Sequence, residues 1–297
     1  MRLYRKSLSE KTFDGSIILL LVLTSLLMLF PFYYMIVISF SSYDDYMRHG
    51  VMLWPKQWVL DAYRSIFESR AFVRSIGSTV FVTVAGTLVD LIMTSSMAYA
   101  LSRDIPGRKF FNMMVVFTFL FGGGMIPTYL IIKSTGLIDT YWALIVPGCI
   151  SAFNLIIIRQ FFRGIPNELN DAALIDGASE VKIFVLIVLP LSKPVLAAFS
   201  LFYAVGHWNT FFDAILYLND STKWTLQVVL RQLVILGNVS DTLHQSPEAR
   251  MTQLEHQTPP ETIGMAAVLV ATIPILLLYP FLQKHFAKGV MLGSIKG

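Results

Sequence analysis

Apolar positions along this chain come in long unbroken runs, without the alternation of half-buried strands or the narrow stripes of soluble helices. Three runs carry no charged side chain at all and stand out by length: Gly15 to Tyr43, Phe110 to Ile132 and Thr262 to Gln283. Three others are marginal: Thr140 to Ile158 is uncharged and shorter, Ser75 to Ser102 is interrupted only by Asp90, and Ile183 to Phe212 only by Lys193. About 20 apolar residues in a helix cross the ~30 Å hydrocarbon layer, so the pattern predicts six spans and an all-α integral membrane protein. The first run far exceeds the ~7 to 15 apolar residues of a cleavable leader, and no clear small-residue cleavage site follows, so it is expected to be retained.

Composition agrees. Of 297 residues, 55% are apolar and 14% charged, against roughly 25% charged in soluble domains, which excludes a cytosolic enzyme, a disordered chain and a nucleic-acid binder. Lys and Arg are about twice as dense in segments 1–15, 102–109, 159–182 and 284–297 as in the segments on the opposite side. The positive-inside bias therefore places both termini in the cytoplasm. The single cysteine, Cys149, can form neither an internal disulfide nor a multi-cysteine metal site.

Five of the six spans contain proline: Pro31, Pro127, Pro147, Pro190 with Pro194, and Pro274 with Pro280; the second has Gly86. Backbone groups freed by such breaks need partners inside the bilayer, which favours a bundle around a pathway over six simple anchors. No phosphate-binding loop, HExxH, CxxC, GxSxG or GxGxxG pattern occurs, so any energy source must lie on a partner or in an ion gradient.

The most informative stretch is Gly164 to Ala178, between spans four and five. Pro166 suits a first helical turn, Asn167 and Glu168 complement the positive end of the helix dipole, Gly177 suits a left-handed stop, and Ser179 suits the cap of a following helix. Leu169, Ala172, Ala173 and Asp176 recur at helical spacing and form a face of small side chains with a carboxylate. Such a face fits a docking helix and an interfacial helix lying on headgroups equally well.

Asp171-Ala172-Ala173, then Asp176-Gly177-Ala178, then Ile187-Val188-Leu189-Pro190 resemble the EAA signature of permease subunits of binding-protein-dependent ABC importers. One departure is the leading Glu, here Asp171, which keeps the charge and shortens the reach. The six spans and the ending from Lys288 to Gly297 are similar to the carbohydrate branch, the maltose-type second permease and the lipo-oligosaccharide permeases.

This resemblance implies an ABC type I importer transmembrane domain, multi-pass in a bacterial cell membrane. It implies a cytoplasmic N-terminus (1–15), a first span with its outside loop (16–74), a permease core (75–286) and a cytoplasmic tail (287–297). Residues 166–178 would be the coupling helix, with Glu168, Asp171, Ala172, Ala173, Asp176, Gly177, Ala178, Leu189 and Pro190 as coupling residues. The partners implied are a second homologous permease, two ATPase subunits and an external binding protein delivering an oligosaccharide. ATP and magnesium would belong to the ATPase, leaving this chain without a cofactor or a catalytic residue.

For the sugar pathway, span five offers Tyr203, His207, Trp208, Asn209 and Asp213, with Asn154 in span four and Thr94 and Ser95 in span two. Hydroxyl, amide and aromatic groups suit sugars, and they suit helix-to-helix hydrogen bonds equally well. The rival functions are a proton-coupled secondary transporter using acids such as Asp90 and Asp213, an intramembrane enzyme and a membrane scaffold. Asp90, Lys193, His207 and Asp213 read as too scattered for a catalytic constellation. Trp224 to Leu236 is expected to pack on the membrane domain and 238–261 to meet the binding protein. The glycines at 289, 293 and 297 predict an extended or turning tail.

Overall fold

The computed structural model describes residues 8–42, 45–46, 52–234 and 259–293. Among these the chain is helical, with one isolated antiparallel bridge between Ser41 and Trp58 and no strand. The α-helices are α1 (Leu8–Ser39), α2 (Asp61–Glu68), α3 (Arg70–Ser102), α4 (Arg108–Leu120), α5 (Met125–Ser134), α6 (Trp142–Ile145), α7 (Ala152–Arg163), α8 (Asn167–Ile175), α9 (Glu180–Ile183), α10 (Leu189–Leu191), α11 (Lys193–Trp208), α12 (Phe212–Tyr217), α13 (Leu226–Val234) and α14 (Pro260–Gly293).

Lys11–Ser39, Arg70–Ser102 and Pro260–Leu278 are each long and apolar enough to cross a membrane alone. Three other candidates are bent pairs: α4 with α5 at 117°, the 142–148 segment with α7 at 53°, and the 180–191 segment with α11 at 83°. Counting each pair once gives six spans, as the apolar runs predict.

Each bend has a local cause. Between α4 and α5 lie Gly122, Gly123 and Gly124, the last at φ +84°, a conformation that favours glycine. The bend before α7 follows the 3₁₀ turn Val146–Gly148 around Pro147, and Ser151 then caps α7 by accepting the Asn154 N–H at 3.4 Å. The bend before α11 falls at Ser192, between Pro190 and Pro194. Just before it Phe184–Val188 is a π-helix, and this widening accommodates a proline ring that would press on the carbonyl four residues back.

Proline does not break every span that holds one. Helix α1 continues through Pro31, and α14 continues through Pro274 and Pro280. An isolated proline removes one hydrogen bond from a long helix, whereas a pair close to one residue removes two in succession. The ending also differs from the expected turning tail, because α14 stays helical through Gly289 to Gly293. Residue 294 and the last lysine, Lys296, lie outside the described residues.

Contacts divide the chain into two units, Met1–Ser69 with Gln232–Val270, and Arg70–Arg231 with Ala271–Gly297. In the first unit, residues 15–33 of α1 are exposed throughout, as an apolar rod facing lipid or another subunit would be. Its end is tied down by Ser39 Oγ to the Tyr63 hydroxyl (2.9 Å) and by Phe40 packed between Trp58 and Tyr63. Of residues 238–261, which sequence reasoning places toward the binding protein, 238–258 lie outside the described residues.

In the second unit α3 is the central helix, packed against α11 and α7. Its inward stripe is polar and small: Ser75, Thr79, Gly86, Asp90 and Thr94 are buried at helical spacing, while Val84, Leu88 and Ile92 face outward. This inverted polarity is expected where lipid lies outside and helices meet through small residues. Val228 of α13 and Trp224 pack on the cluster around Val82 and Ile145, as the apolar run from Trp224 predicts.

One loop knot holds the α5–α6 connection. Asp139, at φ +61°, donates its N–H to the Tyr217 carbonyl and accepts the N–H groups of Asn219 and Asp220 on Oδ1 (3.1 and 3.0 Å). Lys223 Nζ lies 2.8 Å from both its carbonyl oxygen and Oδ2.

Candidate functional site

The signature segment folds as its local chemistry predicts, with one shift. Helix α8 begins at Asn167, and Pro166 occupies the cap position just before it. At the other end Gly177 has φ +76°. Its N–H reaches the Leu174 carbonyl (3.0 Å), and the Ala178 N–H reaches the Ala173 carbonyl (2.9 Å), the paired bonds of a Schellman stop. No atom lies within 4 Å of where a Gly177 Cβ would stand, so only backbone conformation selects glycine there. Ser179 then caps α9 by accepting the Lys182 N–H at 3.4 Å.

The expected single face of α8 is divided. Glu168, Leu169, Asp171, Ala172 and Asp176 are exposed, whereas Ala173 and Ala178 are half-buried against the core and Asn170 is buried. The outward surface combines Leu169, Leu174 and Ile175, the last 87% exposed, with three carboxylates. Apolar side chains in water beside charges suit a protein partner. Of the remaining signature residues, Leu189 is half-buried and Pro190 exposed at the bend.

Sequence reasoning missed how this segment is moored to α3. Glu180, two residues past Ala178, accepts a hydrogen bond from the Tyr99 hydroxyl and pairs with Arg103 at 3.1 Å. Tyr99 also stacks on Phe184 at 4.9 Å between centroids. Nothing in the spacing of Tyr99, Arg103 and Glu180 signals this contact, because it joins segments that are distant in sequence.

The candidate pathway residues separate into two groups. Thr94, Ser95, Tyr203, His207 and Trp208 are buried. Thr94 and Tyr203 share a hydroxyl–hydroxyl bond at 2.9 Å, and Trp208 Nε1 donates to the Ala271 carbonyl at 3.1 Å. Asn154 is half-buried on α7. Asn209 and Asp213 are exposed just past the end of α11, where Asn209 Nδ2 bonds back to the Val205 carbonyl and its Oδ1 lies 3.4 Å from Gln227 Nε2. The reading of Asp90 and His207 as scattered is corrected, since His207 Nε2 lies 2.9 Å from Asp90 Oδ2. Among the described residues no three His, Cys, Asp or Glu side chains converge to hold a metal.

Comparisons with known proteins point the same way. The profile of the family described as "binding-protein-dependent transport system inner membrane component" matches residues 1–292. LplC of Bacillus subtilis is 49% identical over 97% of this chain and 96% of its own length. The polygalacturonan/rhamnogalacturonan transport system permease YtcP of the same organism is 49% identical over 98% and 100%. A chain in the crystal structure of a bacterial ABC transporter involved in alginate import superposes with a TM-score of 0.88 at 32% identity, covering 95% of this chain and 99% of that one.

Proposed function

Because the chain belongs to the family of binding-protein-dependent transport system inner membrane components, we propose that it forms half of a membrane pathway for an acidic oligosaccharide. It is a permease subunit of an ABC importer, a transport component and not an enzyme, and ATP hydrolysis belongs to a separate subunit. The observation that carries this is the family match over residues 1–292, which includes the signature and nearly all of every span. Polygalacturonan and alginate, the cargoes of two of these similar proteins, are uronic-acid polymers, which supports the substrate class.

In this reading a binding protein delivers the sugar outside, a second permease completes the pathway, and two ATPases bind ATP and magnesium on the cytoplasmic side, where both termini lie. Residues 166–178 are the coupling helix within the 75–286 core. The exposed apolar and acidic surface of α8 supports an ATPase docking role for Glu168, Asp171, Ala172 and Asp176, with Ala173, Ala178 and Leu189 holding that surface on the core and Pro190 at the bend that follows. Exposed Asn209 and Asp213 are the strongest pathway candidates. The buried group, Thr94, Ser95, Tyr203, His207 and Trp208, shapes the wall behind them, and Asn154 lies beside it.

The test is reconstitution into vesicles with the second permease, the ATPases and a loaded binding protein. Uptake of a labelled uronate oligosaccharide that requires ATP, and fails on a pH gradient alone, is the expected result. Uptake by this chain alone on a pH gradient would identify a proton-coupled carrier instead.

A further inference from the structure

The exposed pathway candidates just past α11, Asn209 and Asp213, include no cation, yet an acidic oligosaccharide brings a carboxylate with every uronate ring. A carboxylate that leaves water needs an opposite charge or several hydrogen bonds in exchange. Between residues 209 and 234 the chain holds two cations, Lys223 and Arg231. Lys223 is committed to Asp139 and Asp220, which leaves Arg231.

Arg231 lies on α13, which buries Leu226, Val228 and Leu230. The start of this helix is tied to two neighbours: Thr225 Oγ1 donates to the Thr210 carbonyl at 2.9 Å, and the Leu226 N–H donates to Thr79 Oγ1 at 2.7 Å. Gln227 and Arg231, four residues apart, share the opposite face, and both meet the end of α11. Gln227 Nε2 stands 3.4 Å from the Trp208 carbonyl and 3.4 Å from Asn209 Oδ1. The Arg231 guanidinium lies over the Phe211 ring, 5.4 Å from its centroid. Arg231 is exposed and, among the described residues, forms no ion pair with Asp213 or any other acid.

A guanidinium on an aromatic face can still offer its N–H fork to a carboxylate in planar, two-bond geometry. The ring restrains a long side chain beforehand, so less freedom is lost when the fork is filled. We propose that Arg231 takes a carboxylate of the acidic oligosaccharide as it passes the end of α11, with the amides of Asn209 and Gln227 beside it for the sugar hydroxyls. Arg231 is then the residue that separates charged from neutral sugars. This assignment rests on the uronate reading above, and the test checks the two separately.

The assembled transporter in vesicles is given galacturonate or mannuronate trisaccharides, and separately their methyl esters, each at a concentration that saturates the binding protein. Wild type should take up at least one acid; uptake of neither would overturn the uronate reading and this assignment with it. With the transported acid, Arg231→Gln should slow uptake about tenfold, the scale of one charge-assisted contact, and should slow the matching ester less than about twofold. Arg231→Lys should recover part of the acid rate, and Arg231→Glu should abolish it. If the ester does not load the binding protein, the Gln, Lys and Glu order on the acid decides alone. Acid uptake at the wild-type rate in Arg231→Gln, an equal loss for acid and ester, or an equal loss in all three variants would overturn the assignment while leaving the uronate reading in place.

Discussion

Asp90 and His207 stand 117 residues apart in the chain and 2.9 Å apart in space, both buried where α3 meets α11. The approach is possible because Gly86, one turn before Asp90, has no side chain. A Cβ there would sit 2.5 Å from His207 Nε2. The glycine that the second span carries where the other five carry proline therefore makes room for the imidazole.

Gly86→Ala should be the most damaging small substitution in the α3–α11 interface, since overpacking of this kind costs about 1–3 kcal/mol. A hydrogen bond between membrane helices averages only about 0.6 kcal/mol. The Asp90→Asn, His207→Gln double-mutant cycle should accordingly give a coupling well below the Gly86→Ala loss. Thermal unfolding of the purified transporter checks both, and a coupling larger than the Gly86→Ala loss would mean that the pair, not the close approach, dominates.

At Gly177 only the left-handed backbone is demanding, so the substitution pattern should follow backbone preference and not size. Gly177→Val and Gly177→Ala should each lower ATPase co-purification and uptake, with a strain of about 1–2 kcal/mol. Gly177→Asn, which tolerates that conformation, should retain most of both. Failure of all three to the same degree would point to a steric contact with the partner.

Asn209→Ala and Asp213→Ala should lower uptake severalfold with assembly and basal ATPase retained. Tyr203→Phe, which loses the hydroxyl bonds to Thr94 and Asn154, should cost roughly 0.6 kcal/mol of stability per bond and leave uptake near wild type. Normal uptake in both Asn209→Ala and Asp213→Ala would remove the end of α11 from the pathway.

The hydrogen bond from Lys223, together with the Asp220 and Asn219 N–H groups, holds the Asp139 carboxyl below the usual carboxylate range. A depressed acid stabilises the folded state above its unfolded pKa of about 3.9, and this contribution is lost as pH falls through the lower folded value. Asp139→Asn keeps the left-handed backbone and removes the titration. Its melting temperature should fall less than wild type's on acidification below about pH 4, as read by thermal scans.

How much of this was legible in the sequence depended on the range of the forces involved. Uncharged runs fix spans because the bilayer penalises charge wherever it falls, and the Gly177 stop and Ser179 cap depend on neighbours within a turn. The bend at Ser192 was partly visible in Pro190 and Pro194. The continuity of α14 through Pro274 and Pro280 was not, because a proline's effect depends on whether nearby backbone bonds also fail. Asp90 with His207, and Tyr99 with Glu180, are contacts between distant segments, and no local pattern announces them. Asp139 carries a faint signal, since aspartate is one of the few residues that accept its backbone conformation.

Gly177 closes one helix and Ser179 opens the next, leaving Ala178 as the whole of the junction. A flexible linker would absorb a push on α8 as slack. Here α8, about 13 Å long, and the 180–191 segment, about 18 Å long at about 1.5 Å per residue, meet at a single pivot that is half-buried and hydrogen-bonded on both sides. The arrangement has the mechanics of a bell crank, in which a displacement at the tip of one arm reappears as a sweep of the other, at the bend beside Ser192.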